Sequence, residues 1–359
     1  MTQKSDRLKG WVALALSGVA GATFRKIAQG GGPEAAFASA REGFPGTKGV
    51  RRSLAGKLVS DGLFEAAEAE IGRAAKAGVD IIPFDDPRYP EALREIHSPP
   101  LVLYVKGKLP RPDKPWIAVV GSRLASIYGA RVAGVLGRDF AASGAVVVSG
   151  MARGIDAAAH EGALAADGLT VAVLACGLSH VYPVENVKLA ARIARRGALV
   201  SEYPMGMKPR REYFPARNRI VSGLSRAVVV VEAGEKSGAL ITADAALEQG
   251  RDVYAVPGNV DSAVSRGTNR LIKQGAKPVT SAEDVLEECP ASAKRKDDAP
   301  ALSAEEKEIV TALRKETLSI DSLIDRTGLA APRALRTLSA LRLKGLVSEL
   351  PGKQFCSVR

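Results

Sequence analysis

The densest chemistry in the chain lies at Lys208-Pro209-Arg210-Arg211-Glu212-Tyr213-Phe214-Pro215-Ala216-Arg217-Asn218-Arg219. Five basic residues and one acid share these twelve positions with two aromatics, Tyr213 and Phe214. Cations suit phosphates and aromatic faces suit bases, the combination that sequence-tolerant binding of a single nucleic-acid strand requires. A solvated loop whose aromatics plug the core has the same sequence signature. The segment therefore has to be weighed with its neighbours.

Those neighbours are loops that follow short apolar runs. Gly121-Ser122-Arg123 follows Trp116–Val120, and Ser149-Gly150-Met151-Ala152-Arg153-Gly154-Ile155-Asp156 follows Ala145–Val148. Cys176-Gly177-Leu178-Ser179 and Tyr182-Pro183 follow Thr170–Leu174. Glu232 through Ser237-Gly238 and Thr242 follow Ala227–Val231, and Pro257-Gly258-Asn259 follows Val253–Val256. Small residues admit a phosphate close to the backbone, and a helix N-terminus adds unpaired N–H groups. Ser237-Gly238 opening a helix, with Thr242 one turn in, forms a candidate anion cradle. Arg123 adds a guanidinium fork suited to bidentate phosphate contact.

Dinucleotide chemistry fails on detail. Gly121-Ser122-Arg123-Leu124-Ala125-Ser126 lacks the later glycines of G-x-G-x-x-G, and no G-x-x-x-x-G-K-[ST] is present. No cofactor is expected. Cys176, Cys289 and Cys356 stand far apart, as do His97, His160 and His180, which argues against a disulfide framework and a metal site. Asp156 and His160, with Ser149 nearby, supply the residue types of a hydrolytic triad. A catalytic His needs an orienting partner across the site rather than a helical neighbour. A packed His160, a loop-bracing Asp156 and a buried, inert Cys176 are the expected roles. Tyr182 is expected to plug its loop rather than stack on a base.

The elements that position these loops follow from pattern. The apolar runs are short and nearly continuous, as strands buried on both faces are, and Ala198–Val200 is another. Helical segments at Ile127–Ala142, Gly154–Ala166, Glu185–Arg196 and Ala239–Glu248 separate them. Such alternation predicts an α/β fold with a Rossmann-like, doubly wound, mostly parallel sheet, whose ligand crevice lies beyond the strands' carboxyl ends. Residues 1–80 are expected to form a helical module, 81–290 the sheet domain with its core at 115–290, and 291–300 a charged linker. Residues 301–359 read as three helices and a hairpin, the winged-helix pattern, opened by Ser303 as N-cap with Glu305 and Glu306 behind it. Arg333, Arg336 and Arg342 lie on its third helix, which suits a duplex reader and a protein-contact module equally.

The net charge of +12 is spread along the chain rather than held in a tail, and predicts a polyanionic partner. Residues 1–10 are polar and charged, and no apolar run reaches eighteen residues, so no membrane insertion and a cytoplasmic location are expected.

The motifs, taken in order, resemble the DNA-processing protein A (DprA/Smf) family. They comprise Gly121-Ser122-Arg123, Ser149–Asp156, Tyr182-Pro183 with Asn186, and Ser201-Glu202-Tyr203-Pro204. Phe214 to Ser225, Ser237 to Ala243, Val256-Pro257-Gly258 and Gly267 to Ala276 follow. The resemblance spans about 115–290. It implies a protein that binds and protects incoming single-stranded DNA, loads RecA recombinase during natural transformation, and forms a homodimer. Binding residues carried over are Arg123, Arg217, Asn218, Arg219, Ser237, Gly238 and Thr242. Gly121, Ser122 and Arg153 join them from the strand-end loops, with Lys208, Arg210, Arg211 and Phe214 from the basic segment. The flanks resemble the family's sterile-alpha-motif-like or helix–hairpin–helix-like module, with Gly18-Val19-Ala20-Gly21 as the hairpin, and its winged-helix tail. One departure is Gly177-Leu178-Ser179-His180, where the family usually has Gly-Leu-Asp: Ser179 replaces that Asp's hydrogen bond but not its charge. The competing reading is a nucleotide phosphoribohydrolase of the lysine-decarboxylase-like kind. Its Pro-Gly-Gly-x-Gly-Thr-x-x-Glu stretch is matched only by Pro257-Gly258-Asn259-Val260-Asp261, without the Glu, so no enzyme activity is expected.

Overall fold

The computed structural model describes residues 2–28, 31–45, 47, 52–60, 62–111, 113–289, 303–313, 318–343, 347–350 and 354–357. The chain divides into two compact units, Met1–Ser292 and Ala293–Arg359. The expected linker 291–300 and the Pro351-Gly352 turn lie outside the described residues.

The first unit opens with helices α1 (Thr2–Leu16), α2 (Gly21–Ala28), α3 (Pro33–Arg41), α4 (Arg52–Leu58) and α5 (Leu63–Lys76). Gly18, at φ 80°, makes the turn between α1 and α2, a left-handed conformation that glycine adopts without steric cost. Trp11, Leu14, Phe24, Ile27 and Phe37 are buried in one cluster with Leu189, Ile193 and Leu199 from the sheet region.

Strand β1 (Asp80–Pro83), helix α6 (Glu91–Arg94) and strand β2 (Val102–Gly107) lead into β3 (Trp116–Val120) and α7 (Ile127–Ala142). Then come β4 (Val146–Ser149), α8 (Ile155–Ala165), β5 (Leu169–Val173), α9 (Val187–Arg196), β6 (Ala198–Ser201) and α10 (Tyr213–Leu224). The unit ends with β7 (Ala227–Val230), α11 (Gly238–Glu248), β8 (Asp252–Ala255), α12 (Arg266–Lys273), β9 (Lys277–Pro278) and α13 (Glu283–Leu286). The strands form a sheet ordered β1-β2-β6-β5-β4-β3-β7-β8-β9. Neighbours from β6 across to β9 pair in parallel, whereas β2 pairs antiparallel with both β1 and β6.

Every strand expected from an apolar run is present. β3, β4, β6 and β7 are buried at each position, because helices cover both faces of the sheet. The chain winds outward from β3 through β4 and β5 to β6, then returns to place β7 on β3's other side. Strand order reverses between β3 and β7, and a doubly wound sheet opens its crevice at such a point.

In the second unit α14 (Ala304–Leu313), β10 (Leu318–Ser319), α15 (Ile320–Thr327), α16 (Ala331–Leu343), β11 (Val347–Leu350) and β12 (Gln354–Ser357) form a winged helix. Ser303 Oγ accepts from Glu306 N at 3.2 Å, and Glu306 Oε2 accepts from Ser303 N at 2.9 Å. That reciprocal capping box starts α14 where the sequence placed it. Ile309, Leu313, Leu323, Leu338, Leu341 and Phe355 make a separate core. A unit with its own core folds alone. Deleting residues 293–359 is expected to leave one cooperative thermal transition for the remainder by calorimetry. A broad, non-cooperative melt would place the boundary elsewhere.

Candidate nucleic-acid interface

The turn after β3 is built around a buried acid. Glu232, at the end of β7 and 3% exposed, accepts from Ser126 N at 2.9 Å and from Ser126 Oγ. Ser126 Oγ in turn caps α7 by accepting from Gly129 N at 3.0 Å. The Glu232 carbonyl also accepts from Ser122 N at 2.8 Å. One carboxylate thus ties the ends of β3 and β7 together and fixes the turn that carries Arg123.

The loop after β4 is held just as tightly. Asp156, in the first turn of α8, accepts from Gly150 N at 3.1 Å and Ala152 N at 3.2 Å. Burial pushes its carboxyl up, opposed by the neighbouring Arg217 guanidinium and these N–H donors. Between the two donors Met151 takes a left-handed φ of 61°, and Asn186 Nδ2 holds its carbonyl at 3.0 Å. Gly154 has φ 73°, and a Cβ there would stand 2.3 Å from the Ser122 carbonyl. Only glycine lets the turns after β3 and β4 lie this close.

Arg217 reaches this loop from α10. It is 3% exposed, donates through Nη1 to Gly150 O at 2.5 Å and to Val173 O, and through Nε to Asn218 Oδ1 at 3.3 Å. Burial lowers its pKa, and Asp156 opposes that shift. The guanidinium braces the ends of β4 and β5.

The basic segment is rooted before it reaches solvent. Gly177 N donates to Met207 O at 2.8 Å and Ser179 N to Met205 O at 3.1 Å. Met205 N donates to Glu70 Oε1 at 2.6 Å, from a carboxylate on α5 that is 1% exposed. Past this root, the Arg123 guanidinium lies 4.7 Å over the Phe214 ring. Tyr182 meets the same ring edge-on at 5.6 Å. With Arg210 and Arg211 they line a mouth of about 410 Å³. Inward, a chamber of about 640 Å³ is lined by Gly121, Ser122, Asp156, Arg217, Lys236 and Thr242, among others. Cationic and aromatic groups therefore converge on the switch point of the sheet.

Residues 80–290 match the sequence profile described as DNA recombination-mediator protein A, and residues 293–353 match that of the DprA winged helix domain. The chain belongs to the DNA recombination-mediator protein A family. It is 46% identical over 214 residues to the DNA processing protein DprA of Bacillus subtilis, covering 59% of this chain and 72% of that protein. It is 38% identical over 295 residues to the Smf protein of Escherichia coli, covering 78% and 79%. Among solved structures it resembles DprA of Streptococcus pneumoniae, with a TM-score of 0.60, 35% identity, and coverage of 77% of this chain and 96% of that one. Another is DprA of Helicobacter pylori, solved for its single-stranded DNA binding mode, with TM-score 0.53, 31% identity and coverage of 58% and 94%.

The family motifs do not all meet at the crevice. Gly121, Ser122, Arg123, Arg211, Arg217, Asn218, Ser237, Gly238 and Thr242 line the chamber, and Arg210 and Phe214 line its mouth. Arg219 does not join them: its Nη2 pairs with Glu202 at 2.5 Å. Successive helical residues turn by about 100°, so Arg217 and Arg219 of the Arg-Asn-Arg motif leave α10 in different directions. Arg153 pairs with Glu185 outside the crevice, and Lys208 is exposed but lines neither cavity. Tyr182 is 43% exposed and forms part of the lip, so the expected plug is incomplete.

Glu232, Lys236 and Glu70 escaped the sequence reading. An acid ending a continuous apolar strand, as in Val230-Val231-Glu232, was the available signal for the first. Glu70 shows only as one of several acids on an amphipathic helix. Ser149, Asp156 and His160 are committed to structural bonds. Ser149 Oγ donates to Val119 O at 2.6 Å, and His160 Nδ1 lies 2.6 Å from Thr170 Oγ1. Burial pulls His160 down to about 3 and pushes Cys176 up to about 11. Among the described residues no cluster of three or more His, Cys, Asp or Glu could hold a metal, and no helix is long and apolar enough to cross a membrane.

Proposed function

We propose that the chain binds single-stranded DNA in the cytoplasm, protecting incoming strands and loading RecA recombinase onto them during natural transformation, as a homodimer. The observation that carries strand binding is the convergence of Arg123, Arg210 and Arg211 on the Phe214 and Tyr182 rings at the sheet's switch point. Guanidiniums hold the backbone there while aromatic and guanidinium planes offer faces to unstacked bases. The RecA and dimer assignments rest on family membership.

Strand preference tests the reading. In duplex DNA the bases are already stacked and their faces covered. Oligo-dT is therefore expected to bind at least about fivefold more tightly than a duplex of equal length at physiological salt, the low end of what one stacked base contributes. Fluorescence anisotropy with both labelled ligands makes the comparison, and equal affinities would remove base stacking from the interface.

A further inference from the structure

The inner chamber carries polar groups that the lip does not use. It lies at the N-terminus of α11, where Ser237 Oγ accepts from Ala239 N at 3.3 Å and Lys236 stands exposed beside it. Three of its wall residues are almost fully buried: Thr242 at 2%, Arg217 at 3% and Asp156 at 6% exposure. Among the described residues the Thr242 hydroxyl makes no hydrogen bond, and neither does Arg217 Nη2. None of these three belongs to the mouth formed by Arg123, Arg210, Arg211, Phe214 and Tyr182.

Buried polar groups in folded proteins are bonded, and the exceptions on a cavity wall mark where a ligand completes the set. A helix N-terminus with a lysine and a free hydroxyl donor suits a phosphate. A carboxyl suits the N–H or O–H groups of a base or sugar. The chamber's volume of about 640 Å³ falls within the range of about 300–1,000 Å³ usual for small-ligand sites, and its position is the usual one in an open α/β sheet.

We propose that the inner chamber binds a single nucleoside monophosphate, with its phosphate at the N-terminus of α11 beside Lys236 and Thr242 and its nucleoside toward Asp156. The site is separate from the lip across which a strand runs, and stands whether or not that strand-binding reading holds. The ligand has two sources, a free nucleotide or the 5′-phosphorylated end of a DNA strand.

Calorimetric titration of the full chain with dTMP, thymidine and inorganic phosphate tests this. The nucleotide is expected to bind with Kd below about 1 mM, and each fragment at least about tenfold more weakly, because either alone leaves part of the wall unbonded. Thr242→Val removes the hydroxyl but keeps the shape. It is expected to weaken dTMP about tenfold, the scale of one hydrogen bond to a charged group, without lowering the melting temperature. Lys236→Ala, at an exposed position, is expected to weaken dTMP as well. Anisotropy with 5′-phosphorylated and 5′-hydroxyl oligo-dT separates the sources: a tighter phosphorylated strand assigns the site to strand ends, and equal strands with dTMP bound assign it to free nucleotide. Absence of dTMP binding at about 10 mM while oligo-dT binds, or unchanged dTMP affinity in both variants, overturns the chamber proposal. Binding of dTMP without binding of oligo-dT overturns the strand reading instead.

Discussion

Arg217→Ala is expected to lower the melting temperature of the protein by roughly 6–20 °C, following a loss of about 3–5 kcal/mol at about 2–4 °C per kcal/mol. The residue sits among the family's binding motifs, yet its guanidinium is 3% exposed and donates to the carbonyls of Gly150 and Val173. Removing it leaves both carbonyls without that donor and leaves the Asp156 carboxyl buried without its cation. Gly150 has no room to compensate, since a Cβ there would stand 2.6 Å from Arg217 Nη2. Loss of DNA binding in this variant would therefore report collapse of the β4 and β5 ends, not one lost phosphate contact. Differential scanning calorimetry decides: a melting temperature within about 1 °C of the parent would show that the brace is dispensable.

Arg123→Ala is expected to do the reverse, leaving the melt within the small range usual for surface substitutions while weakening oligo-dT at least about tenfold. It also lowers the slope of log affinity against log salt by roughly 0.7, the value for one single-strand phosphate contact. Arg211→Ala should reduce the slope by a similar amount. Arg219→Ala should leave it unchanged, since that guanidinium is paired with Glu202 away from the crevice. Arg138→Ala, at a residue paired with Asp139 on α7, serves as the surface control. Arg123→Lys should keep the slope and lose part of the affinity, because a lysine retains the charge but not the flat face lying 4.7 Å over Phe214. A salt series by anisotropy on these variants makes the test. An unchanged slope for both Arg123→Ala and Arg211→Ala would move the anion site elsewhere.

The contrast between Arg217 and Arg219 shows where sequence becomes illegible. The sheet could be read directly, because β3, β4, β6 and β7 are buried on both faces and so consist of unbroken apolar runs. β1 and β2 were not anticipated: they are short, and β2 lies between the prolines at Pro99-Pro100 and Pro110. The loop chemistry was legible as composition, which correctly brought Arg123, Phe214 and Ser237 to one edge. Direction was not. Residues 213–224 looked like a charged aromatic segment, yet they form a helix with Pro215 in its first turn, where a missing N–H costs nothing. Once they are helical, Arg217 points inward and Arg219 toward Glu202. Glu232 was hidden for a related reason, since its value lies in Ser126, 106 positions away in sequence.

The antiparallel extension of the sheet also bears on how the chain is made. β2, complete at Gly107, pairs with β6, which is complete only at Ser201. At translation rates of about 5–20 residues per second, the β2 edge waits about 5–20 s for its neighbour. The helical cluster of Trp11, Phe24 and Phe37 waits as long for Leu189, Ile193 and Leu199, which share its core. The amino-terminal helices are therefore synthesised first and buried late. A ribosome stalled before residue 198 holds a nascent chain with an open strand edge and an uncovered apolar face, the two features that recruit chaperones and seed aggregation.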